Sequence, residues 1–282
     1  HISVADWQAS VEESVDKLRD HSMQLVDTTP YLYLYDKMTG KAGERDMRYV
    51  FLDEIQDYNA FQLAFLKFSF PRARFTMLGD LNQAIFTKEN SRTLLQELST
   101  MFDPDKTKVV QLTQSYRSTQ QVTDFTKHIL KNGEAVTAFD REGELPTVTV
   151  AADEADGLQR VIDLVKQNDA EDETTAIIGK DLADCRDLTE KLRDQGVAVT
   201  LIQSENQRLA PGLIVVPSFL AKGLEFDAVI VWQASASRFE VDDERQLLYT
   251  ICSRAMHRLS LVAVGDVSPL LSDVPTDEYE MV

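Results

Sequence analysis

Short apolar runs separated by stretches of helical periodicity set the tightest limit on this fold. Tyr49-Val50-Phe51-Leu52 and Leu213-Ile214-Val215-Val216-Pro217 are apolar without alternation, as strands buried on both faces are. Phe75 to Asp80, Val109 to Leu112, Val148 to Val150, Thr174 to Gly179, Val197 to Ile202, Ala228 to Trp232 and Leu259 to Val264 also read as strands. Between them lie helical patterns. Tyr58 to Phe70 carries Phe61, Ala64, Phe65 and Phe68 on one face. Thr119 to Lys131 has Ser118 or Thr119 as a cap. Leu158, Val161, Ile162 and Val165 form a stripe, and Asp181 to Gln195 is stopped by Gly196. Strands alternating with helices predict an α/β protein with mainly parallel sheets.

The flanks are less regular. Val4, Trp7, Val11, Val15, Leu18 and Leu25 predict one amphipathic helix over residues 4–26, which Pro30 should end. Residues 91–102 and Arg245 to His257 read as helices, and the acidic tail from Pro269 as peripheral. With 282 residues the chain can hold two domains. The Asp103-Pro104-Asp105-Lys106 loop marks the expected boundary, giving domains over 1–107 and 108–282.

No apolar run approaches the ~20 residues that span a bilayer, and the first residues show no signal-peptide pattern. Cys185 and Cys252 lack metal-ligand spacing and read as ordinary cytosolic thiols, which predicts a cytoplasmic protein. The net charge is −18, of which −14 falls after Val110. Proteins that grip phosphate backbones usually show a basic face, so such a groove could exist here only locally. The acidity serves either solubility or docking on a basic partner.

Chemistry concentrates where Tyr49–Leu52 runs into Asp53-Glu54-Ile55-Gln56-Asp57. Ligands of open α/β sheets lie at strand C-terminal ends. An Asp placed there can hold Mg²⁺ through its water shell, and a Glu beside it can take a proton from an attacking water. The same residues could simply form a solvated acidic turn. Gly40-Lys41 is no phosphate loop, since its glycine spacing is wrong and Ala42 follows the lysine.

Asp53-Glu54-Ile55-Gln56-Asp57 resembles motif II of the UvrD/Rep-type superfamily 1 helicases. Leu78-Gly79-Asp80-Leu81-Asn82-Gln83-Ala84-Ile85-Phe86 resembles motif III, and Leu112-Thr113-Gln114-Ser115-Tyr116-Arg117-Ser118-Thr119 motif IV. Ala221-Lys222-Gly223-Leu224-Glu225-Phe226-Asp227 resembles motif V, and Tyr249-Thr250-Ile251-Cys252-Ser253-Arg254-Ala255 motif VI. The resemblance implies an ATP hydrolase of two RecA-like domains with ATP and Mg²⁺ between them, the first domain incomplete in this chain. It implies that Asp53 holds the metal, Glu54 activates water and Gln83 senses the γ-phosphate. Arg117 and Arg254 would neutralise the transferring phosphoryl group, as bidentate donors do. Tyr116, Gly223 and Glu225 would bind nucleotide, Glu225 through the ribose.

Two departures refine this expectation. The sequence contains no GxxxxGK[ST], so the phosphate loop is expected from a preceding segment of the same protein, and this chain alone is expected to be inactive. Motif III continues as Ile85-Phe86-Thr87-Lys88-Glu89-Asn90, with one aromatic where UvrD-type helicases stack several on single-stranded DNA. About a hundred residues, 120–220, separate motifs IV and V, too few for the large insertion of true UvrD/Rep helicases. Tyr31-Leu32-Tyr33-Leu34, Asp57 to Gln62 and Phe70 to Thr76 are similar to HelD, the helicase-like ATPase of bacterial RNA polymerase. That likeness implies RNA polymerase as partner, with residues 4–26 either the end of an inserted arm or a domain helix. A 3′–5′ DNA helicase, with DNA as partner, is the alternative, and a binding module with a degenerate site is a third.

Overall fold

The computed structural model describes residues 3–41, 43–79, 98–110, 112, 114–115, 117–131, 137–138, 141–168, 174–204 and 212–282. These divide into two compact units, one running up to Lys108 and the other from Val109.

The first unit opens with two helices where one was expected. Helix α1 (Val4–Arg19) is capped by Ser3, whose hydroxyl accepts the Asp6 N–H, and it ends at Asp20. Helix α2 (Leu25–Thr39) then contains Pro30, the residue expected to end a helix. Pro30 lies in the second turn, so it forfeits a single backbone bond there. Packing supplies compensation: the Tyr33 ring meets Phe61, Phe65 and Phe68 edge-on at 5.6, 6.2 and 5.3 Å. Aromatic pairs of this kind contribute about 0.5–1.5 kcal/mol each beyond their buried area. Those phenylalanines lie on α3 (Ala60–Ser69), which Asn59 and Gln62 start with a capping box.

Strands β1 (Tyr49–Leu52) and β2 (Arg74–Met77) pair in parallel, Tyr49 opposite Arg74 and Leu52 opposite Met77. The expected fully buried strand is not what β1 is among the described residues. Leu52 is buried, but Phe51 is 71% exposed. The reason is layering: Leu52, Ile55 and Leu63 form a core with Val50, Leu66, Phe75 and Met77 on one side of the ribbon, so Phe51 points to the other.

The second unit centres on a seven-stranded sheet. A separate short pair joins β3 (Gln114–Ser115) to β4 (Thr137–Ala138) in parallel. Val109, Val110 and Leu112, expected in a strand, lie outside regular structure. They are all exposed, so burial does not hold them extended. The sheet itself contains β5 (Thr147–Ala151), β6 (Thr174–Gly179), β7 (Thr200–Leu201), β8 (Gly212–Pro217), β9 (Phe226–Trp232), β10 (Ala255–Val264) and β11 (Glu280–Met281). Their order is β11-β5-β10-β9-β6-β8-β7, and each pairing is parallel.

Strand pleat sorts the core into two layers. Ala176, Ile178, Val229 and Val231 share one cluster with Val122, Phe125 and Ile129 of α4 (Gln120–Ile129), with Ala221 of α7 (Ser218–Ala221) and with Leu248 and Ile251 of α8 (Arg245–Cys252). Ile177, Ile230 and Trp232 share the other with Val161 and Ile162 of α5 (Glu154–Gln167) and with Cys185, Leu188 and Leu192 of α6 (Leu182–Asp194). Gly157 lets α5 approach closely: a Cβ there would lie 3.0 Å from Val264 and 3.3 Å from Trp232. Gly196 stops α6 with a φ of 76°, as its position predicted. The tail is not peripheral. Leu270, Leu271 and Val274 are buried, Tyr279 meets Phe125 edge-on, and β11 pairs with β5.

Candidate functional site

Asp53 and Glu54 follow directly on β1, at its C-terminal end. Glu54 adopts left-handed backbone, with φ 54° and ψ 43°. For a residue with a Cβ that conformation costs roughly 1–2 kcal/mol. Hydrogen bonds on both sides hold it: Glu54 N–H donates to Asp53 Oδ1 at 2.8 Å, and Ile55 N–H to the Leu78 carbonyl at 3.0 Å. The turn swings the chain into a 3-10 segment, Ile55–Asp57, and buries Ile55 and Gln56. Gln56 Nε2 donates to Glu54 Oε2, orienting that carboxylate. The strand neighbour is fitted to this turn. A Cβ on Gly79 would stand 2.5 Å from Gln56 Oε1 and 2.7 Å from Ile55 Cγ1. The Asp53 carboxylate faces solvent with one oxygen engaged by Glu54.

In the second unit three loops meet at the N-terminal edge of the large sheet. Arg117 lies two residues before the cap of α4, where Thr119 Oγ1 faces the Val122 N–H. Ser118 Oγ donates to the Ala255 carbonyl at 2.6 Å and Thr119 N–H to the Met256 carbonyl at 3.0 Å, so this loop is stitched to the start of β10. Gly223 has a φ of 78° with open space around it, so its backbone conformation, not crowding, favours glycine. The turn it makes brings Glu225 to Arg117: Nε to Oε1 is 2.6 Å, both side chains about two-fifths exposed. A pair this wet adds at most about 1 kcal/mol to stability.

Arg254 is placed differently, 1% exposed. Its Nε donates to the Thr250 carbonyl at 2.9 Å, Nη1 to the Leu224 carbonyl at 3.3 Å and Nη2 to Ser253 Oγ at 3.1 Å. Its own carbonyl accepts the Phe226 N–H at 3.0 Å. The guanidinium therefore locks the loop carrying Gly223 and Glu225 to the end of α8. The fold brings Arg117, Glu225, Gly223 and Arg254 together. Gln83 and Tyr116 lie outside the described residues.

Residues given no role in the sequence reading complete the cluster. Asp227 Oδ2 accepts the Thr174 N–H and hydroxyl, both at 2.8 Å, and its Oδ1 stands 3.4 Å from His257 Nδ1. Burial works to raise the Asp227 pKa, but the two Thr174 donors and His257 outweigh it and hold the carboxyl below its ordinary value. His257 was expected in a helix. Instead α8 ends at Cys252 and His257 stands on β10. Arg254 fixes that switch, because its side chain turns back onto the last turn of α8.

Models of two helicase-family domains match this chain. The model of the UvrD/REP helicase N-terminal domain matches residues 12–93, and that of the UvrD-like helicase C-terminal domain residues 213–262. The solved C-terminal domain of a possible DNA helicase from Lactobacillus plantarum WCFS1 is 60% identical, over 59% of this chain and 98% of that chain, with a TM-score of 0.54. Dbp5 of S. cerevisiae, solved bound to RNA and ADP BeF3, aligns over 95% of this chain and 62% of that chain at 11% identity and a TM-score of 0.53. That second likeness is one of fold, the fold of RecA-like helicase domains. No curated protein matches the chain.

Proposed function

This chain belongs to the UvrD/Rep helicase family, and from that premise we propose that it is the C-terminal portion of a HelD-type ATPase that remodels or releases RNA polymerase. The observation that carries the ATPase part is the paired carboxylates at the end of β1, with their loop fitted closely against Gly79 just past β2. Asp53 fits a magnesium site. Mg²⁺ is commonly held through one or two carboxylates plus substrate phosphates. A cage of protein ligands is therefore not required, and none occurs among the described residues.

Bound ATP with Mg²⁺ would supply a transferable γ-phosphoryl group. Asp53 would hold the ion, and Glu54, oriented by Gln56, would take a proton from water at a carboxylate oxygen. Gln83 is assigned to the γ-phosphate, Tyr116, Gly223 and Glu225 to nucleotide binding, and Arg117 to charge neutralisation. Arg254 is given the same role, and taking it up requires its guanidinium to leave the Thr250 and Leu224 carbonyls. A preceding part of the protein supplies the phosphate loop, and the domain division assigned between residues 107 and 108 lies one residue before that between the two compact units. The polymerase reading is supported by the net charge of −18, which suits docking on a basic protein better than tracking along DNA.

A second reading, a 3′–5′ DNA helicase, is favoured by the 60% identical relative described as a possible DNA helicase. Affinity capture of the full-length protein from its own cells, with a nuclease wash, separates the two. Near-stoichiometric RNA polymerase supports the first reading. DNA-dependent retention without polymerase, with ATPase stimulated by single strands, supports the second. ATP hydrolysis lost on Glu54→Gln tests the assignment common to both, and undiminished hydrolysis in that variant would sink it.

A further inference from the structure

A chain of polar contacts runs beneath the Arg117–Glu225 pair and ends on Arg117 itself. It starts at Thr174, the first residue of β6, whose N–H and hydroxyl hold Asp227 Oδ2. The Asp227 N–H returns a bond to Thr174 Oγ1 at 3.1 Å, so this end is fixed three times over. Asp227 Oδ1 faces His257 Nδ1. On the far side of the ring, His257 Nε2 meets Arg141 Nη2. Arg141 Nη1 reaches the Arg117 carbonyl at 3.5 Å, and the Arg141 carbonyl accepts the Gln120 N–H at 2.8 Å. Just beyond, Gly143 N–H donates to Gln121 Oε1 at 2.8 Å, and a Cβ at Gly143 would stand 2.5 Å from Thr119 Cγ2. The segment 141–143 is therefore strapped across the loop that presents Arg117.

We propose that Arg141, set by His257 and Asp227, is a positioning residue that aims Arg117 at the nucleotide. Three arguments carry this. Arg117 and Arg141 are both cations, so placing one against the other's backbone needs a compensating carboxylate, and Asp227 supplies it through the imidazole. Donor and acceptor can alternate along the relay: when Nδ1 carries a proton towards Asp227, Nε2 is left as acceptor for Arg141 Nη2. Arg117 itself is long, about two-fifths exposed and tied by one wet ion pair, so its aim depends on the backbone beneath it. A guanidinium misplaced by about 1 Å can cost on the order of a hundredfold in rate. Arg141 touches no reacting group, and its effect passes entirely through Arg117. The inference rests on the ATPase reading above for its consequence, but not for its geometry.

The test follows two readouts. In protein labelled with ¹⁵N at arginine, Arg141→Ala and His257→Ala should each shift the Arg117 Nε–H resonance and speed its exchange with water. Arg160→Ala, which breaks only an i,i+4 surface pair with Asp156, should leave it unchanged. Arg141→Lys, which keeps the charge, should restore part of the wild-type signal. In the ATPase of the full-length protein, Arg141→Ala should lower kcat about tenfold with little change in KM, and cost nothing further in an Arg117→Ala background. An Arg117 resonance indifferent to both alanine variants, in protein that keeps its native amide spectrum, overturns the proposal. So does an equal loss of kcat with and without Arg117. A wild-type protein without ATPase would instead refute the proposed function, and the Arg117 resonance would still decide for or against the strap.

Discussion

Replacing Gly79 by Ala tests whether the acidic turn is held by shape. The added carbon would lie 2.5 Å from Gln56 Oε1, 2.7 Å from Ile55 Cγ1 and 3.1 Å from the Ile55 nitrogen. The Gln56 amide could swing away, but it would abandon Glu54. Ile55 has less freedom, because it is buried and its N–H is bonded to Leu78. Overpacking of a filled site costs about 1–3 kcal/mol. Stretching the Ile55 N–H bond adds about 0.5–1.5 kcal/mol. The expected local loss is thus about 1.5–4.5 kcal/mol, each 1.4 kcal/mol being roughly a factor of ten in an equilibrium. Native-state hydrogen exchange resolves it residue by residue. The Ile55 and Leu78 amides should exchange at least about tenfold faster in the variant, whereas amides of the β6–β9 pairing should keep their rates. Unchanged exchange at Ile55 would refute the claim that Gly79 is there for close approach.

Asp227→Asn should destabilise the second unit at neutral pH by about 1–3 kcal/mol, because the Thr174 donors lose a charged acceptor. The Asp227 pKa is depressed by folding. Its contribution is therefore full above the unfolded value of about 3.9 and fades as pH falls through the lower folded value. Urea titrations of both forms should converge in strong acid; a gap that persists there would contradict the assignment. Asp153→Ala should cost about 0.5–2 kcal/mol, since Asp153 Oδ1 caps α5 through the Asp156 N–H at 2.9 Å. Thermal denaturation at neutral pH would show no change if that cap were idle. Cys185 and Cys252 are buried, which pushes the Cys185 pKa up to about 12 and that of Cys252 upward too. Neither should react with a thiol reagent at pH 8 until the protein is unfolded, and rapid native labelling would disprove their burial.

Sequence carried the fold where local and global signals coincide. Helix α6 was legible at both ends, because Asp181 caps it and Gly196 terminates it. The strands of the large sheet were legible as apolar runs because helices cover both faces. The misreadings have a shared cause in packing that lies far along the chain. Pro30 is tolerated because Tyr33 finds three phenylalanines on α3. The end of α8 was invisible because the stop is a buried arginine side chain, not a glycine or proline. The candidate site shows the same split. Asp53, Glu54, Arg117, Glu225 and Arg254 stood out by residue type and order. Asp227 closed the motif V stretch without a role of its own, Thr174, His257 and Arg141 carried no local pattern, and only strand register places Thr174, Asp227 and His257 at one sheet edge.

Strand order also dictates when this sheet can assemble. Thr147 of β5 is joined to Ser260 of β10 across 113 residues, and β10 is the strand that links β5 to the rest of the sheet. Pairings so distant in sequence close late, because loop entropy must be overcome first. On a ribosome, β6, β8 and β9 emerge and can pair while β5 still waits with its backbone amides open. Any pause in translation between Trp232 and Ala255 would lengthen that wait. An unpaired strand edge is a template for the wrong neighbour. The interval before β10 appears is therefore when this chain is most in need of a chaperone.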